Sequence, residues 1–127
     1  MRLTKNLLRG IALTCGLGLA GIAPAATNDY DGAWVVDELP GHYYMVRVNS
    51  GTLLFVHLGD DWEVFIGPLV GQTATFSNLI ADVNLRGTLR FTSESTATVQ
   101  IESCTPNTAS ASCALPAGAT GTARKIF

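Results

Sequence analysis

The sequence is poor in the residues on which most enzymes and nucleic-acid-binding proteins depend. Its 127 residues include two histidines, and charged residues make up only 14% of the chain. It has no Gly-x-Ser-x-Gly, His-x-His or His-Glu-x-x-His motif, which excludes the usual layouts of serine hydrolases and zinc enzymes. We therefore assign no catalytic residue and expect no metal or other cofactor. The eight basic residues are also too few to favour nucleic acid as a partner.

The first 25 residues have the features of a signal peptide. The segment 10–22 is apolar, and Ala23-Pro24-Ala25 supplies the small-x-small pattern that signal peptidase recognises. The basic n-region before the apolar segment contains Arg2, Lys5 and Arg9. Cleavage is expected after Ala25, or alternatively after Ala26. Processing would leave residues 26–127 as a single domain in the periplasm or outside the cell.

Two other interpretations of this N-terminal segment are less favoured. A retained membrane anchor needs roughly 20 apolar residues, and the apolar run 10–22 is shorter. A lipoprotein processed at Cys15 would need a lipobox, which Ala12-Leu13-Thr14 resembles poorly. Export with removal of the segment is therefore the prediction.

An aromatic residue at position 127 raises the alternative of an outer-membrane barrel. Such barrels have eight or more strands with large apolar residues at alternate, lipid-facing positions. The alternate positions before Phe127 are Lys125, Ala123 and Gly121, which do not fit that pattern. No insertion of the processed domain into a membrane is therefore expected.

Removal of the first 25 residues changes the charge of the protein. The removed segment holds three of the eight basic residues and none of the ten acidic ones, so five basic and ten acidic residues remain, a net charge of −5. A domain with this charge is repelled by phosphate backbones and by anionic lipid surfaces. The charge thus supports the exclusion of nucleic acid as a partner.

Two cysteines remain after this processing, Cys104 and Cys113. The residues between them are small, polar or turn-forming, and an exported protein is in a compartment where disulfides persist. We predict a disulfide that closes this loop and contributes roughly 2.7 kcal/mol through chain entropy. A redox-active pair is the alternative, but the spacing differs from that of Cys-x-x-Cys.

Alternation of apolar and polar residues predicts β-strands along most of the processed chain. The clearest example is the segment 83–92, where Gly87 falls among the apolar positions and indicates a bend or bulge. Gly67-Pro68 is interpreted as the end of the fourth strand. The predicted strands are 34–36, 42–48, 52–58, 62–66, 73–80, 83–92, 97–102 and 120–127.

After residue 26, no segment has apolar residues at the spacing of three to four positions that is typical of an amphipathic helix. The sequence therefore predicts an all-β domain, and the short connections favour an antiparallel β-meander of about seven or eight strands. Closure of this sheet into a small barrel would remove exposed strand edges. A two-sheet sandwich is the alternative.

Six aromatic or imidazole side chains are candidates for ligand binding. A hairpin turn at Asn49-Ser50-Gly51 would bring His42 and His57 to the same end of the sheet. The isolated His57 in an apolar strand is also typical of a hydrogen-bonded structural residue. The candidate ligand-binding residues are Trp34, His42, Tyr43, Tyr44, His57 and Trp62.

Two acidic segments are compared with calcium loops. The segment 28–32 begins like such a loop but lacks the later bidentate glutamate. Asp60, Asp61 and Glu63 are interpreted as the solvated tip of a hairpin. No metal site is therefore assigned to either segment.

Several short motifs follow one another along the chain in a recognisable order. Gly32-Ala33-Trp34 is followed by Pro40-Gly41 and later by Trp62 and Gly67-Pro68-Leu69, with the cysteine pair near the end. This layout resembles that of small, uncharacterised exported β-rich proteins of Gram-negative bacteria, which implies export and a β-meander but no activity. Gly32-Ala33-Trp34 is also similar to the opening of lipocalin and avidin barrels, which implies a barrel of that shape with Trp34 closing one end.

We expect an exported, non-enzymatic binding module for a small ligand, a glycan or a protein of the envelope. The alternative is a structural or self-associating envelope protein that pairs through a free strand edge. A third class is a small enzyme that uses His42 or His57 together with a nearby carboxylate.

Overall fold

A computed structural model describes residues 29–127 of the chain. The predicted signal peptide, residues 1–25, lies outside the described residues. In the described part, no helix is long and apolar enough to cross a membrane. The strands of this part are β1 (Gly32–Val36), β2 (Tyr43–Asn49), β3 (Thr52–Leu58), β4 (Glu63–Val70), β5 (Thr73–Ile80), β6 (Val83–Phe91), β7 (Thr96–Pro106) and β8 (Thr120–Lys125).

The eight strands form a closed antiparallel barrel. Each strand pairs with the next one along the chain, and β8 returns to pair with β1. The predicted all-β meander is confirmed, and of the two predicted forms the chain adopts the barrel. Because each strand has a partner on both sides, residues 29–127 offer no free strand edge for self-association.

Several predicted strands agree with the observed ones in their bounds. β3 and β5 have the predicted bounds. β4 differs because it continues through Gly67 and Pro68 to Val70, so the interpretation of Gly67-Pro68 as a strand end is wrong. Pro68 has no N–H to donate, but the Leu69 N–H donates to the Gly51 carbonyl at 2.8 Å and the ladder resumes there.

Gly87 lies at a break in the regular pairing of β6 with β7, between Arg86 and Gly87. This irregularity confirms the predicted bend or bulge. A Cβ atom at Gly87 would lie 2.6 Å from the Phe76 ring and 2.6 Å from the Gln100 carbonyl oxygen. Glycine at this position therefore makes room for the Phe76 ring in the barrel interior.

One end of the barrel is closed by aromatic side chains. The rings of Tyr30 and Phe91 are stacked, with centroids 3.7 Å apart, and Trp34 meets Phe91 edge-on at 5.5 Å. The Trp34 indole N–H donates to the Tyr30 carbonyl oxygen at 2.9 Å, so this buried donor has its partner. These three residues are called the aromatic plug below.

The predicted disulfide joins Cys104 and Cys113. Cys104 lies in β7 opposite Leu85 of β6, and Cys113 lies in the connection 107–119 between β7 and β8. The two Cα atoms are 6.1 Å apart. The bond ties this long connection to the end of the barrel opposite the aromatic plug.

Candidate ligand-binding site

The barrel interior is incompletely filled at the end opposite the aromatic plug. A cavity of about 120 Å³ lies there, comparable with the roughly 150 Å³ of an engineered protein cavity that binds benzene. All eight strands contribute to its wall, which is mainly apolar. The lining residues include Val36, Val46, Phe55, Phe65, Phe76, Leu85, Ile101 and Ala123.

Three phenylalanines form one wall of the cavity. The Phe55 and Phe65 rings, on adjacent strands, are stacked with centroids 4.8 Å apart. Phe76 meets Phe55 edge-on at 4.9 Å. Such a wall favours an apolar or aromatic molecule because binding removes apolar surface from water on both sides.

Two loops bound the mouth of the cavity. Leu39 comes from the connection between β1 and β2, and residues 112–115 come from the connection between β7 and β8. Within that second loop, Leu115 packs against the buried core and Cys113 forms the disulfide. The disulfide therefore fixes part of the cavity wall as well as the loop.

Tyr44 and Glu63 bring polar groups to the cavity wall. Burial, and to a smaller extent the negative charge of Glu63, raises the pKa of the Tyr44 hydroxyl to about 12. The hydroxyl is therefore protonated at neutral pH and is able to donate a hydrogen bond. The Glu63 side chain is 28% exposed, and its carboxylate accepts hydrogen bonds. The pair offers a ligand one donor and one strong acceptor.

His42 and His57 form a hydrogen-bonded pair beside Tyr44. His42 Nδ1 and His57 Nε2 are 2.9 Å apart, and the Tyr44 and His57 ring centroids are 5.2 Å apart. His57 Nδ1 is buried without a hydrogen-bond partner and lies 3.9 Å from Glu63 Oε2. A proton on this Nδ1 is favoured because it faces the carboxylate, and His42 Nδ1–H then donates to His57 Nε2.

Four of the six candidate residues lie at or next to the cavity. Trp34 and Tyr44 line it, and His57 contacts Tyr44 while also bonding to His42. The hairpin register explains this grouping, because Tyr44 pairs directly with His57 across β2 and β3. The histidines thus support the polar side of the cavity without lining it.

The other two candidates lie on the outer surface. Tyr43 is 47% exposed, since successive residues of a strand point to opposite faces and its neighbour Tyr44 faces inward. Trp62, which directly precedes β4, is 73% exposed. Neither residue lines the cavity.

Glu63 is a site residue that the sequence pattern obscures. Glu63 lies in the predicted strand 62–66, but its place in the acidic run with Asp60 and Asp61 favours a solvated side chain. In the structure it is the first residue of β4 and lines the cavity. The interpretation of Glu63 as a solvated tip residue is therefore wrong. Its spacing of two positions from the inward-facing Phe65 is the signal that indicates its orientation.

Within residues 29–127, neither imidazole is hydrogen-bonded to a Ser, Thr or Cys side chain, as the activation of such a nucleophile requires. Over the same residues, no group of three or more His, Cys, Asp or Glu side chains is placed to hold a metal ion.

Comparison of the chain with known protein families, with characterised proteins and with solved structures gives no match. Function is therefore inferred from the side chains of the cavity and its mouth.

Proposed function

We propose that the protein is an exported, non-enzymatic binding module that holds a small, largely apolar molecule in the open end of its barrel. The observation that carries this proposal is the cavity of about 120 Å³ between the aromatic plug and the disulfide-tied loop. Its volume suits a single-ring or short aliphatic molecule. A glycan or a protein partner would be too large for this space and would need another surface.

Tyr44 and Glu63 define the polar group that such a molecule would carry. An alcohol or an amine donates to the Glu63 carboxylate, and an alcohol also accepts from the Tyr44 hydroxyl. A carboxylate would instead place a second negative charge beside Glu63 in a poorly hydrated site. The proposed ligand is therefore a small apolar molecule with an alcohol or amine group.

Export forms part of the proposal. Residues 1–25 have the sequence of a signal peptide, and the Cys104–Cys113 disulfide is consistent with an oxidising compartment outside the cytoplasm. N-terminal sequencing of the protein recovered from the envelope or the medium should begin at Ala26 or Thr27. Recovery of a chain that retains residues 1–25 would contradict export with cleavage.

Fluorescence of Trp34 tests the binding proposal. Trp34 lines the cavity and Trp62 is exposed, so the Trp62→Phe variant has an emission that reports on the cavity alone. This variant is titrated with benzyl alcohol, benzylamine and benzoate. We expect the alcohol and the amine to change the Trp34 emission at concentrations where benzoate does not.

A matched pair of substitutions locates the binding. Val83 lines the cavity, whereas Val70 is 77% exposed on the outside. In the Trp62→Phe protein, Val83→Phe should abolish the response to benzyl alcohol by filling the space, and Val70→Phe should leave it unchanged. No response to any of the three probes, or equal responses in the two variants, would contradict the proposal.

A further inference from the structure

The outer surface of the barrel is divided into a polar half and an apolar half. On β6, β7 and β8, outward-facing residues pair in polar rows such as Thr88, Gln100 and Thr120. On β2 to β5, the outward-facing residues toward the open end pair in apolar rows, whereas polar residues such as Asn49 and Thr52 pair toward the other end. The longest of these rows crosses four strands and consists of Met45, Val56, Val64 and Ile80.

The apolar surface that this half exposes lies at the upper end of what a monomer usually leaves uncovered. Apart from Val70 at the other end of β4, its six most exposed side chains have 44–73% of their surface accessible, which for residues of this size amounts to roughly 600 Å². The largest apolar patch of a typical monomer covers about 300–600 Å², and a standard interface buries about 800 Å² on each partner. The six residues, called the apolar face below, are Tyr43, Met45, Leu58, Trp62, Leu79 and Ile80.

Half-buried side chains extend the apolar face between these six residues. Leu54 pairs with Ile66, and Val56 pairs with Val64, across the β3–β4 ladder, and all four are partly exposed. With their contribution, the face approaches the area that each subunit of a stable dimer buries.

The charges around the apolar face favour a second copy of the chain as the partner. Arg47 is the one charged side chain in the outward-facing rows of β2 to β5, so the face offers no charge pattern that would select a different protein. Asp60 and Asp61, next to Trp62, would be repelled by an anionic lipid surface. When two such faces meet across a twofold axis, the apolar rows of one copy contact those of the other, and each copy contributes one cation, Arg47.

We propose that the apolar face is the interface of a homodimer in which two barrels pack side by side through β2 to β5. The contact buries Met45 and Ile80 of both copies together with the apolar residues between them. It uses the outer surface of these strands, whereas the proposed ligand lies inside the barrel, and so the proposal does not rest on ligand binding.

Sedimentation equilibrium of the purified, disulfide-bonded protein tests this proposal. The unmodified protein should form a dimer that dissociates on dilution. Met45→Lys combined with Ile80→Lys places two charges in the interface and should weaken dimerisation by about tenfold or more. The matched control, Gln100→Lys combined with Thr120→Lys, adds the same charge to the polar half and should dimerise like the unmodified protein.

Three results would overturn the proposal. These are a monomer at every accessible concentration, equal weakening by the two double variants, and co-flotation of the unmodified protein with phosphatidylcholine vesicles as a monomer. Near-ultraviolet circular dichroism checks that the variants are folded. If the Met45→Lys, Ile80→Lys protein does not fold, Tyr43→Ser combined with Leu58→Asn should weaken the dimer in its place, and an unchanged dimer in that variant would also overturn the proposal.

Discussion

The two ends of the barrel interior differ in how completely side chains fill them. At one end, the aromatic plug fills the space, and Phe91 is fully buried. At the other end, Tyr44, Glu63 and the loop that carries Cys113 surround a cavity of about 120 Å³. A filled interior contributes packing energy, whereas a partly empty one with polar groups at its rim gives up some of that energy and leaves room for a ligand. The tightly packed region and the proposed binding site thus lie at opposite ends of one small barrel.

The largest effect is expected at the aromatic plug. Phe91→Ala should lower the free energy of unfolding by about 3–5 kcal/mol, because it removes a fully buried ring that contacts Tyr30 and Trp34. Leu85→Ala, at the partly empty end, should cost about 2 kcal/mol or less, because part of the surrounding space is already vacant. Urea denaturation followed by circular dichroism measures both. Equal losses would remove the distinction between the two ends.

A smaller effect is expected from the disulfide. Replacing Cys104 and Cys113 together by alanine should lower the free energy of unfolding by roughly 2.7 kcal/mol, because the unfolded chain regains the entropy of the loop. It should also weaken any binding of benzyl alcohol, since the loop forms part of the cavity wall.

Phe91→Ala provides the control for this change. If the plug is independent of the disulfide, Phe91→Ala should lower the free energy of unfolding by the same amount with and without the two cysteines. A smaller loss in the cysteine-free protein would show that the disulfide supports the plug as well, and the two ends would then not be independent.

The smallest effect is expected from the titration of Tyr44. Its pKa of about 12 lies above the value of about 10 in an unfolded chain. The stabilisation from the protonated hydroxyl is therefore fully present below pH 10 and is lost as the pH rises toward 12, by about 2 kcal/mol. Urea denaturation at about pH 9 and at about pH 12 gives the free energy of unfolding at each pH. The difference between the two values should be smaller for Tyr44→Phe than for the unmodified protein.

Glu63→Gln refines the measurement on Tyr44. Burial is the larger cause of the raised pKa and the charge of Glu63 the smaller one. Ultraviolet absorbance of ionised tyrosine should therefore show a Tyr44 pKa that falls in this variant but stays above the ordinary value. A return to the ordinary value would mean that the charge, and not burial, dominates at the open end.

The fold was largely predictable because side-chain alternation is a local signal. β6 repeats apolar residues at every second position, and even the departure at Gly87 corresponds to a real irregularity in the ladder. The prediction that β4 ends at Gly67-Pro68 was wrong because the local sequence does not show that the Leu69 N–H can donate to the Gly51 carbonyl. That acceptor comes from the adjacent hairpin.

The candidate site was only partly predictable. The hairpin register brings His42 and His57 to one end, as expected, and the structure joins them by a bond of 2.9 Å. The cavity itself has no local signal, because its size depends on how side chains from eight strands meet. Whether Phe76 leaves space, for instance, depends on Gly87 of the adjacent strand.

The contact between β1 and β8 has a consequence for how the barrel forms and opens. Three residue pairs join these strands, compared with nine between β6 and β7. This contact also joins the two most distant strands along the described chain, so its loop-closure entropy is the largest in the sheet. Amide hydrogens of β1 and β8 should accordingly exchange with solvent sooner than those of β6 and β7, which marks this seam as the place where the closed sheet first comes apart.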